Sequence, residues 1–349
     1  MTATITDIAR IAGVSEATVS RALTGDARIS EQTRKKVEKI AKELNYRRND
    51  IAKSFRLQKT QTLGLIIPDV LNLFYLQVTR GVEDQAQKMG YNLMLCNSDY
   101  DPVKERKYID VLVGRKVDGI LVFPVVGKGN NLEFLRDSGV PFVLMDTCPQ
   151  GVEANYLFTD HEAGAFGAVN YLIRGGHRRI ALYIGRRGMT SSGVQMETGY
   201  HKALSRAGIG VDARFIVSTA LKEEDNLKHA TRKLLQKQRD LGYTAVLCIS
   251  DVFAKSIYDV SRQLGLRVPE DVSVIGYDDT FICNYFTPPL TSVSQPKYSL
   301  GQQAVDLLLR HLVPGEAGRH ETIKLRPRLV ERGSVASLPG SARDVSGRS

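Results

Sequence analysis

The segment from Thr6 to Arg21 has the residue pattern of a helix-turn-helix, in which one short helix ends sharply and another begins at once. Gly13 can adopt the positive φ that such a helix end requires, and Ser15 is a favoured N-cap for the second helix. Apolar side chains that can pack the helices together recur at helical spacing: Ile5, Ile8, Ala9, Ala12, Val14, Val19 and Leu23. The outer face of the second helix, which a recognition helix lays in the major groove of DNA, then carries Glu16, Ala17, Ser20 and Arg21.

A third helix is predicted from about Glu31 to Leu44, because Ser30 can cap it and apolar residues again recur at helical spacing. The three helices would form an all-α domain over residues 1–47. A further helix could form within residues 48–60, but a helix this short is marginal in water. We therefore expect a hinge that becomes helical only when it is docked.

The positive charge of the chain is concentrated in this amino-terminal part. Residues 1–60 contain 13 Lys and Arg against 7 Asp and Glu, so they carry six of the ten net positive charges of the 349 residues. A basic segment that coincides with a helix-turn-helix predicts contact with the phosphates of double-stranded DNA, whereas a basic segment alone is usually only a solvated surface.

From Thr62 onward, short apolar runs alternate with amphipathic helices, which is typical of parallel βαβ units. Helices are expected between the strands, for example at Leu76–Met89, Glu105–Gly114 and Glu162–Ile173. The predicted strands are Leu63–Ile67, Asn92–Leu95, Gly119–Val122, Phe142–Met145, Ile180–Ile184, Ala245–Ile249 and Val272–Gly276. The pattern favours two α/β lobes with doubly wound parallel sheets.

Several classes of protein lack their signatures in this sequence. We find no phosphate-binding loop, dinucleotide fingerprint, nucleophile elbow or metal-like His/Cys cluster, and therefore predict neither an enzyme nor a cofactor or metal site. His161 and His177 are isolated, and His177 is interpreted as a structural residue. The absence of a secretory leader and of an apolar run of about 18 residues predicts a cytoplasmic protein, not a membrane protein or a periplasmic solute receptor. Reduced thiols are expected at four widely spaced positions: Cys96, Cys148, Cys248 and Cys283.

Motifs along nearly the whole chain follow one pattern. They are the helix-turn-helix itself, Ser30–Arg34, Leu44–Tyr46, Asn49–Phe55, Leu65–Asp69, Gly176–Ile180, Val274–Asp279 and Pro289–Val293. In this order they resemble the lactose-repressor (LacI/GalR) family of bacterial transcription regulators. The resemblance implies a helix-turn-helix domain followed by a two-lobed, periplasmic-binding-protein-like effector domain. It also implies a homodimeric repressor whose affinity for a pseudo-palindromic operator is controlled by a small-molecule effector.

The resemblance places domain boundaries as well. The chain would cross between the lobes near Asp160, Leu290 and His320. The first lobe would then comprise residues 61–160 and 291–320, and the second residues 161–290 and 321–333. Residues 334–349 are rich in Ser and Gly, so we expect a disordered tail. They have no leucine heptad of the kind that joins two dimers in some relatives, which favours a dimer.

The same resemblance assigns contacts with DNA bases. Glu16, Ala17 and Arg21 would face base edges, and the guanidinium of Arg21 suits guanine O6 and N7. Glu16 could accept a hydrogen bond from cytosine N4, or it could only complement the positive end of its helix. The positions near phosphates are Thr4, Ser15, Thr18, Ser30 and Tyr46.

In the hinge, the resemblance assigns contacts in the minor groove at the centre of the operator. Phe55 stands where the family usually has a leucine that wedges between the central base pairs, although it could instead only pack the hinge onto the helical domain. Asn49 and Ala52 lie on the same segment and are further candidates for DNA contact.

Ligands of open α/β sheets bind beyond the carboxyl ends of the strands. Asp69, Asp146 and Asp278 each follow a predicted strand directly. In sugar-responsive relatives the positions of Asp146 and Asp278 bind hydroxyls of the inducer, and turn capping is the alternative for any Asp at a strand end. Phe74, soon after the first strand, is a further candidate for effector contact.

Three other candidate cleft residues depart from the family pattern. Met196 replaces an arginine, Ser250 replaces an asparagine, and Lys297 replaces a residue that is often aromatic or apolar. Lys297, with Arg186 and Arg187, could bind an anionic effector such as a sugar acid or phosphosugar, or it could be a surface charge at the rim of the cleft. A neutral carbohydrate or nucleoside-like ligand, a partner protein and the absence of an effector are the alternatives.

Overall fold

A computed structural model of the protein describes residues 3–46, 59–125, 130–147, 152–185, 190–219, 224–312 and 320–339. The chain divides into two compact units, residues 1–60 and residues 61–349. No helix in the described parts of the chain is long and apolar enough to cross a membrane.

In the described part of the smaller unit, residues 3–46, three helices form a bundle: α1 (Ile5–Ala12), α2 (Glu16–Leu23) and α3 (Glu31–Glu43). Gly13 ends α1 with a φ of 68°, in the left-handed region that glycine adopts without strain. The predicted helix-turn-helix and third helix are therefore confirmed. The helices enclose one small core of buried side chains: Ile8, Ala9, Ala12, Val19, Ala22, Val37, Ile40 and Ala41.

The first sheet of the larger unit is wholly parallel, with strand order β11-β5-β4-β3-β1-β2. Its strands are β1 (Thr62–Ile67), β2 (Asn92–Asn97), β3 (Gly119–Val122), β4 (Phe142–Met145), β5 (Asn155–Thr159) and β11 (Thr322–Leu325). Its helices are α4 (Leu73–Lys88), α5 (Pro102–Gly114), α6 (Asn131–Asp137) and α11 (Lys297–Arg310). Alternate side chains of β1 enter apolar clusters on opposite faces, as in a sheet covered on both sides.

The second sheet has the order β12-β10-β9-β8-β6-β7 and is parallel except for β12, which is antiparallel to β10. Its strands are β6 (Ile180–Ile184), β7 (Ile216–Ser218), β8 (Ala245–Cys248), β9 (Ser273–Asp278), β10 (Thr291–Ser294) and β12 (Arg328–Val330). Its helices are α7 (His161–Arg174), α8 (Ser191–Arg206), α9 (Glu224–Leu241) and α10 (Asp251–Leu264), with short 3₁₀ segments at Ala213–Phe215 and Phe281–Tyr285. The prediction of two doubly wound parallel sheets is confirmed.

The predicted boundaries between the lobes need two corrections. Strand β10 pairs with β9, through Thr291 and Ile275, so residues 291–294 belong to the second sheet and not to the first lobe. Strand β11 pairs with β5, through Thr322 and Tyr156, so residues 322–325 belong to the first sheet and not to the second lobe. Hydrogen bonds between strands decide this membership, and local sequence patterns do not reveal which strands pair.

The start of the expected disordered tail is also wrong. Ser334 is fully buried, where its hydroxyl donates to the carbonyl of Val274 (2.6 Å) and accepts from the amide of Thr291 (2.8 Å). The amide of Leu338 donates to the carbonyl of Gly175 (2.8 Å). Residues 334–339 are therefore packed on the second lobe, because their polar groups complete hydrogen bonds at the ends of its elements. Residues 340–349 lie outside the described residues.

Helices α4 and α11 cross at very short range on the first sheet. A Cβ atom at Gly81 would lie 2.1 Å from the carbonyl oxygen of Tyr298, and one at Gly301 would lie 2.3 Å from that of Val78. Only glycine permits this approach, which holds the beginning of α11, and with it Lys297, beside the carboxyl ends of the strands.

Candidate functional site

The outer face of α2 is organised as a DNA-reading surface would be. Arg21 is exposed and has no ion-pair partner among the residues that the structure describes. Ala17 is exposed beside it. Glu16 is exposed too, but its Oε1 accepts a hydrogen bond from the hydroxyl of Thr6 on α1 (2.7 Å). Its carboxylate is thus tethered to the neighbouring helix, a contact that sequence reasoning did not anticipate.

Three of the predicted phosphate contacts share one structural role, since each is the N-cap of a helix. Thr4 caps α1 in a capping box with Asp7, Ser15 caps α2, and Ser30 caps α3. Hydrogen bonds from Thr4 hold the pKa of Asp7 below its ordinary value. The amino ends of all three helices, where backbone N–H groups favour anions, are therefore marked by a hydroxyl side chain.

The other predicted DNA contacts divide into two groups. Thr18 and Ser20 are half-buried on α2, and Tyr46 packs partly on the core of the bundle after α3. The hinge candidates lie outside the described residues: Asn49, Ala52 and Phe55.

In the larger unit, acidic and phenolic side chains from both sheets converge beyond the carboxyl ends of the strands. Burial raises the pKa of Tyr100 to about 12, and the negative charges of Asp69, Asp146 and Asp278 contribute to that rise. Burial likewise raises the pKa of Tyr75, and the neighbouring phenol of Tyr100 contributes to that rise. The three predicted aspartates therefore share one electrostatic neighbourhood, which we call the cleft.

One side of the cleft is aromatic. The ring of Tyr75 meets the rings of Phe74 and Phe123 edge to face, at centroid distances of 5.2 and 5.0 Å. Phe74 itself is buried in the apolar core of the first sheet, so it supports Tyr75 more than it faces an open space. Aromatic faces and edges of this kind suit the flat or apolar side of a ring-shaped ligand.

Asp146 is already engaged inside the protein. Its Oδ1 lies 2.6 Å from Nε2 of His161, the first residue of α7. Its backbone has a φ of 62°, which points to a sharp turn after β4. Asp69 behaves as a turn cap, because its Oδ1 accepts from the amide of Leu71 (2.9 Å). Both readings of a strand-end aspartate, ligand contact and internal hydrogen bonding, thus stay open for Asp146, while the geometry of Asp69 favours capping.

Asp278 is the most deeply placed acid of the cleft, only 7% exposed, and burial holds its pKa well above its ordinary value. Its Oδ1 accepts a hydrogen bond from Nε2 of Gln295 (2.7 Å). The amide oxygen of Gln295 is buried and has no hydrogen-bond partner among the described residues. Buried acceptors are seldom left unpaired, so this pair of side chains can accept a donor from a ligand.

Lys297 does not have the role that the sequence suggested. Only 7% of the residue is exposed, and its ammonium donates to the backbone carbonyls of Asp278, Asp279 (3.1 Å) and Gln295 (3.4 Å). An ammonium has three donors, so none remains for an anionic ligand. The rim-charge interpretation is wrong as well, since the group is buried and its pKa is lowered by that burial. Arg186 and Arg187 lie outside the described residues.

Met196 and Ser250 also differ from the expected cleft lining. Met196 is 1% exposed and packs in the apolar cluster between α7, α8 and β6, so it fills the core of the second lobe. Ser250 is half-buried at the N-cap position of α10, where its side chain makes no capping hydrogen bond. The next residue, Asp251, is buried and fully engaged by donors that include Thr280 and Ser292.

Sequence reasoning missed four residues of the cleft: Tyr75, Tyr100, His161 and Gln295. A usable signal existed for Gln295, which follows β10 directly, and for Tyr100, which comes soon after the end of β2, because polar groups at these positions reach the same edge of the sheets as the aspartates. No local signal marked His161, whose partners stand 15 and 116 residues away.

Comparison with known proteins adds to this geometry. The family model described as bacterial regulatory proteins, lacI family, matches residues 4–49, and the periplasmic binding protein-like domain matches residues 169–335. The chain is 35% identical over 337 residues to the HTH-type transcriptional repressor PurR of Vibrio atlanticus (strain LGP32), covering 96% of this chain and 99% of the relative. It is 36% identical over 334 residues to the ribose operon repressor of Escherichia coli (strain K12), covering 95% and 100%. A solved lac repressor dimer, bound to operator and the anti-inducer ONPF, is similar with a TM-score of 0.85 at 26% identity, covering 96% of this chain and 100% of that one.

Proposed function

The chain belongs to the lacI family of bacterial regulatory proteins, and from this premise we propose how its two units share one task. The helical unit binds operator DNA as part of a homodimer, and the larger unit sets the operator affinity by binding a small molecule in the cleft. The observation that carries the proposal is Arg21, which is exposed on a capped helix and has no ion-pair partner among the described residues. A two-fold dimer requires a pseudo-palindromic operator, of roughly 14 to 20 base pairs.

Within each half-site, Arg21 donates to guanine in the major groove. The N-cap residues Thr4, Ser15 and Ser30 offer hydroxyls and helix amino ends to DNA phosphates. Thr18 and Tyr46 contribute further contacts with the phosphates. The tether from Thr6 favours a positioning role for Glu16, because a carboxylate that is held by α1 braces the recognition helix against its neighbour. Cytosine contact by its free oxygen is the second candidate. Asn49, Ala52 and Phe55 of the hinge complete the DNA surface in this proposal.

The effector we propose is uncharged and rich in hydroxyl or N–H donors, with one ring face. Asp278 and the amide oxygen of Gln295 accept its donors, Asp146 accepts another through Oδ2, and Tyr75 lies against the ring. A carboxylate or phosphate would meet three aspartates and no available cation among the described residues of the cleft, so the anionic effector is disfavoured. The name of one relative, the ribose operon repressor, agrees with a sugar ligand.

The coupling between the sites follows from where these groups are attached. Asp146 ends a strand of the first sheet and Asp278 ends a strand of the second, so one ligand that binds both favours a particular arrangement of the two lobes. A ligand shifts an equilibrium only by its different affinity for the two states, and such couplings are typically about 1–3 kcal/mol. This shift would alter whether the paired hinges can dock on the operator.

Two measurements test the proposal. Binding-site selection with the full-length protein should recover a pseudo-palindrome whose affinity falls steeply with salt. Calorimetric titration with pentoses, hexoses, nucleobases, nucleosides and their phosphorylated or oxidised derivatives should find the tightest ligand among the uncharged compounds. Selection of non-palindromic DNA contradicts the first part, and a best ligand that carries a carboxylate or phosphate contradicts the second.

A further inference from the structure

A groove of about 390 Å³ lies beside β7, three strands away from β9, whose carboxyl end carries Asp278. It runs between strand β7 and helix α9. Its lining includes Val217, Ser218, Thr219, His229, Lys233 and Lys237. Neither the DNA surface nor the effector proposal uses any of these residues.

The helix side of the groove is basic. His229, Lys233 and Lys237 follow one another at intervals of four residues, so they lie on one face of α9. All three are exposed, and none has an ion-pair partner in the described parts of the chain. Elsewhere on the larger unit many surface cations are paired, as Lys202 is with Glu162 and Lys255 with Asp259. Among the described residues, the positive charge of this face is thus not paired with an acidic side chain.

The strand side of the groove offers a free backbone edge. Among the described residues, strand β7 is the last strand of its sheet and pairs only with β6. The amide of Thr219 donates toward β6, to the carbonyl of Ile184 (3.2 Å). Successive amides of a strand point to opposite sides, so the amide and carbonyl of Ser218 point away from β6. Ser218 is exposed, and its outward amide is an unused donor within the described structure.

We propose that this groove docks an acidic, extended segment of a partner protein. The segment would add to β7 as an outer strand, exchanging hydrogen bonds with the backbone of Ser218. Its carboxylates would meet Lys233 and Lys237, and an apolar side chain between them would rest on Val217. Two independent features therefore select one kind of occupant: the cations select acidic side chains, and the open edge selects an extended main chain.

Other occupants fit less well. A nucleic acid would use the cations but has no amide or carbonyl to pair with the strand edge. A second copy of this chain would need an acidic exposed strand of its own, and the other outer strands of the two sheets offer none in the described residues: β2 has no acidic residue, and β11 and β12 carry Lys324 and Arg328. The proposal is independent of the effector and adds a protein input to the regulator.

The test uses the full-length protein and a labelled, blocked hexapeptide of alternating glutamate and valine, followed by fluorescence polarisation. The charge variant is Lys233→Glu with Lys237→Glu, which should weaken peptide binding about fivefold or more. The matched control is Lys88→Glu with Lys107→Glu, which makes the same change of net charge at two exposed lysines of the first lobe. This control should change the affinity little.

A second comparison separates strand pairing from simple charge attraction. The same hexapeptide with N-methyl groups on alternate amides keeps its charge but cannot pair on one edge, and it should bind about fivefold more weakly or worse. On the protein side, Ser218→Pro removes only an outward amide, which an edge strand tolerates. It should weaken the unmodified peptide by a similar factor while the unfolding midpoint hardly changes.

Several outcomes would overturn the proposal. Equal binding of the methylated and unmodified peptides would reduce the groove to a general basic surface. So would equal losses in the charge variant and its control, or a comparable loss of single-stranded DNA binding in the charge variant. A change of dimer mass in sedimentation for the charge variant would instead assign the groove to contact between copies of this chain.

Discussion

The ring of His161 joins the two sheets of the larger unit, because its Nδ1 lies 3.1 Å from the hydroxyl of Tyr277 while its Nε2 lies 2.6 Å from Asp146. Tyr277 belongs to β9 of the second sheet, directly before Asp278, and Asp146 follows β4 of the first sheet. With Nε2–H donating to the carboxylate, Nδ1 accepts from the phenol, so both ring nitrogens are satisfied. The two acids proposed to bind the effector are thus linked through one buried imidazole.

His161→Ala should therefore weaken the coupling between effector binding and operator binding, and it should also destabilise the fold. Loss of a buried hydrogen bond to a charged group costs about 1–3 kcal/mol, and the effect of the effector on operator affinity should shrink. Denaturant unfolding and operator titrations with and without effector measure the two consequences.

His177→Ala is the matched control for that change. His177 is as buried as His161, at 1% exposure, but its partners are the hydroxyl of Thr244 (2.8 Å) and the carbonyl of Ala336 (3.0 Å), at the opposite end of its sheet. It should lower stability by a similar amount and leave the response to effector intact. If both variants lose the effect of the effector on operator affinity to the same extent, lowered stability alone explains the loss.

Arg21→Ala should cost about 1–3 kcal/mol per half-site and relax the preference at one base pair. The physical reason is the loss of a two-pronged contact to guanine. Ser15→Ala serves as the comparison, because a phosphate contact carries no sequence information and its loss weakens all sequences alike. Binding-site selection distinguishes the two, and an unchanged motif for Arg21→Ala would rule out base reading by this residue.

Lys297→Met should destabilise the protein by about 1–3 kcal/mol, because it leaves buried carbonyls without their donor. Its affinity for charged ligands should fall no more than its affinity for uncharged ones. Calorimetry of one sugar and its phosphate on the folded variant tests this. A loss of tenfold or more confined to the phosphate would restore an anionic effector that binds this ammonium.

Asp278→Asn should stabilise the protein at pH 7, since it removes a carboxyl whose ionised form is penalised by burial. The direction of this pH dependence follows from the raised pKa of Asp278. Below the ordinary pKa of 3.8, the Asp278 carboxyl is protonated in both the folded and the unfolded chain. In that pH range the substitution therefore gives no gain in stability from this group. As the pH rises through the folded pKa, the wild-type protein loses stability relative to the variant. Urea unfolding between pH 4 and 8 follows this difference, as does the weaker effector binding that the variant should show.

Asp99→Asn should show the opposite trend. The ammonium of Lys104 holds the pKa of Asp99 below its ordinary value. The stability that this pair contributes is present at neutral pH and is lost as the pH falls through the lowered pKa, so the variant should be less stable than the wild type only at the higher pH values. Parallel pH profiles for the two variants would contradict the assignment for Asp278.

Much of this architecture is readable in the sequence because it depends on short-range rules. The three caps, the glycine at position 13 and the apolar spacing of α1 to α3 act within one or two helical turns. The alternation of apolar runs and amphipathic helices predicted most strands within one or two residues, and Asp69, Asp146 and Asp278 stand at or just after the ends of β1, β4 and β9. Edge strands as short as β7 and β12 carry too few residues to show a pattern.

The sequence by itself determined the family, the helix-turn-helix and the strand ends that carry the three aspartates, since each follows from local periodicity, capping or motif order. The tertiary structure alone decided what the individual cleft residues do. Lys297 meets the carbonyl of Asp278, 19 residues before it, and Asp146 meets His161 because two separate strands and a crossover bring them together. A charged side chain that the sequence suggests for ligand binding can instead be hydrogen-bonded within the protein when the fold surrounds it with acceptors. The reason is that a buried charge must be paired or hydrogen-bonded to be tolerated. Such partners are set by strand order, which no single segment of the chain encodes.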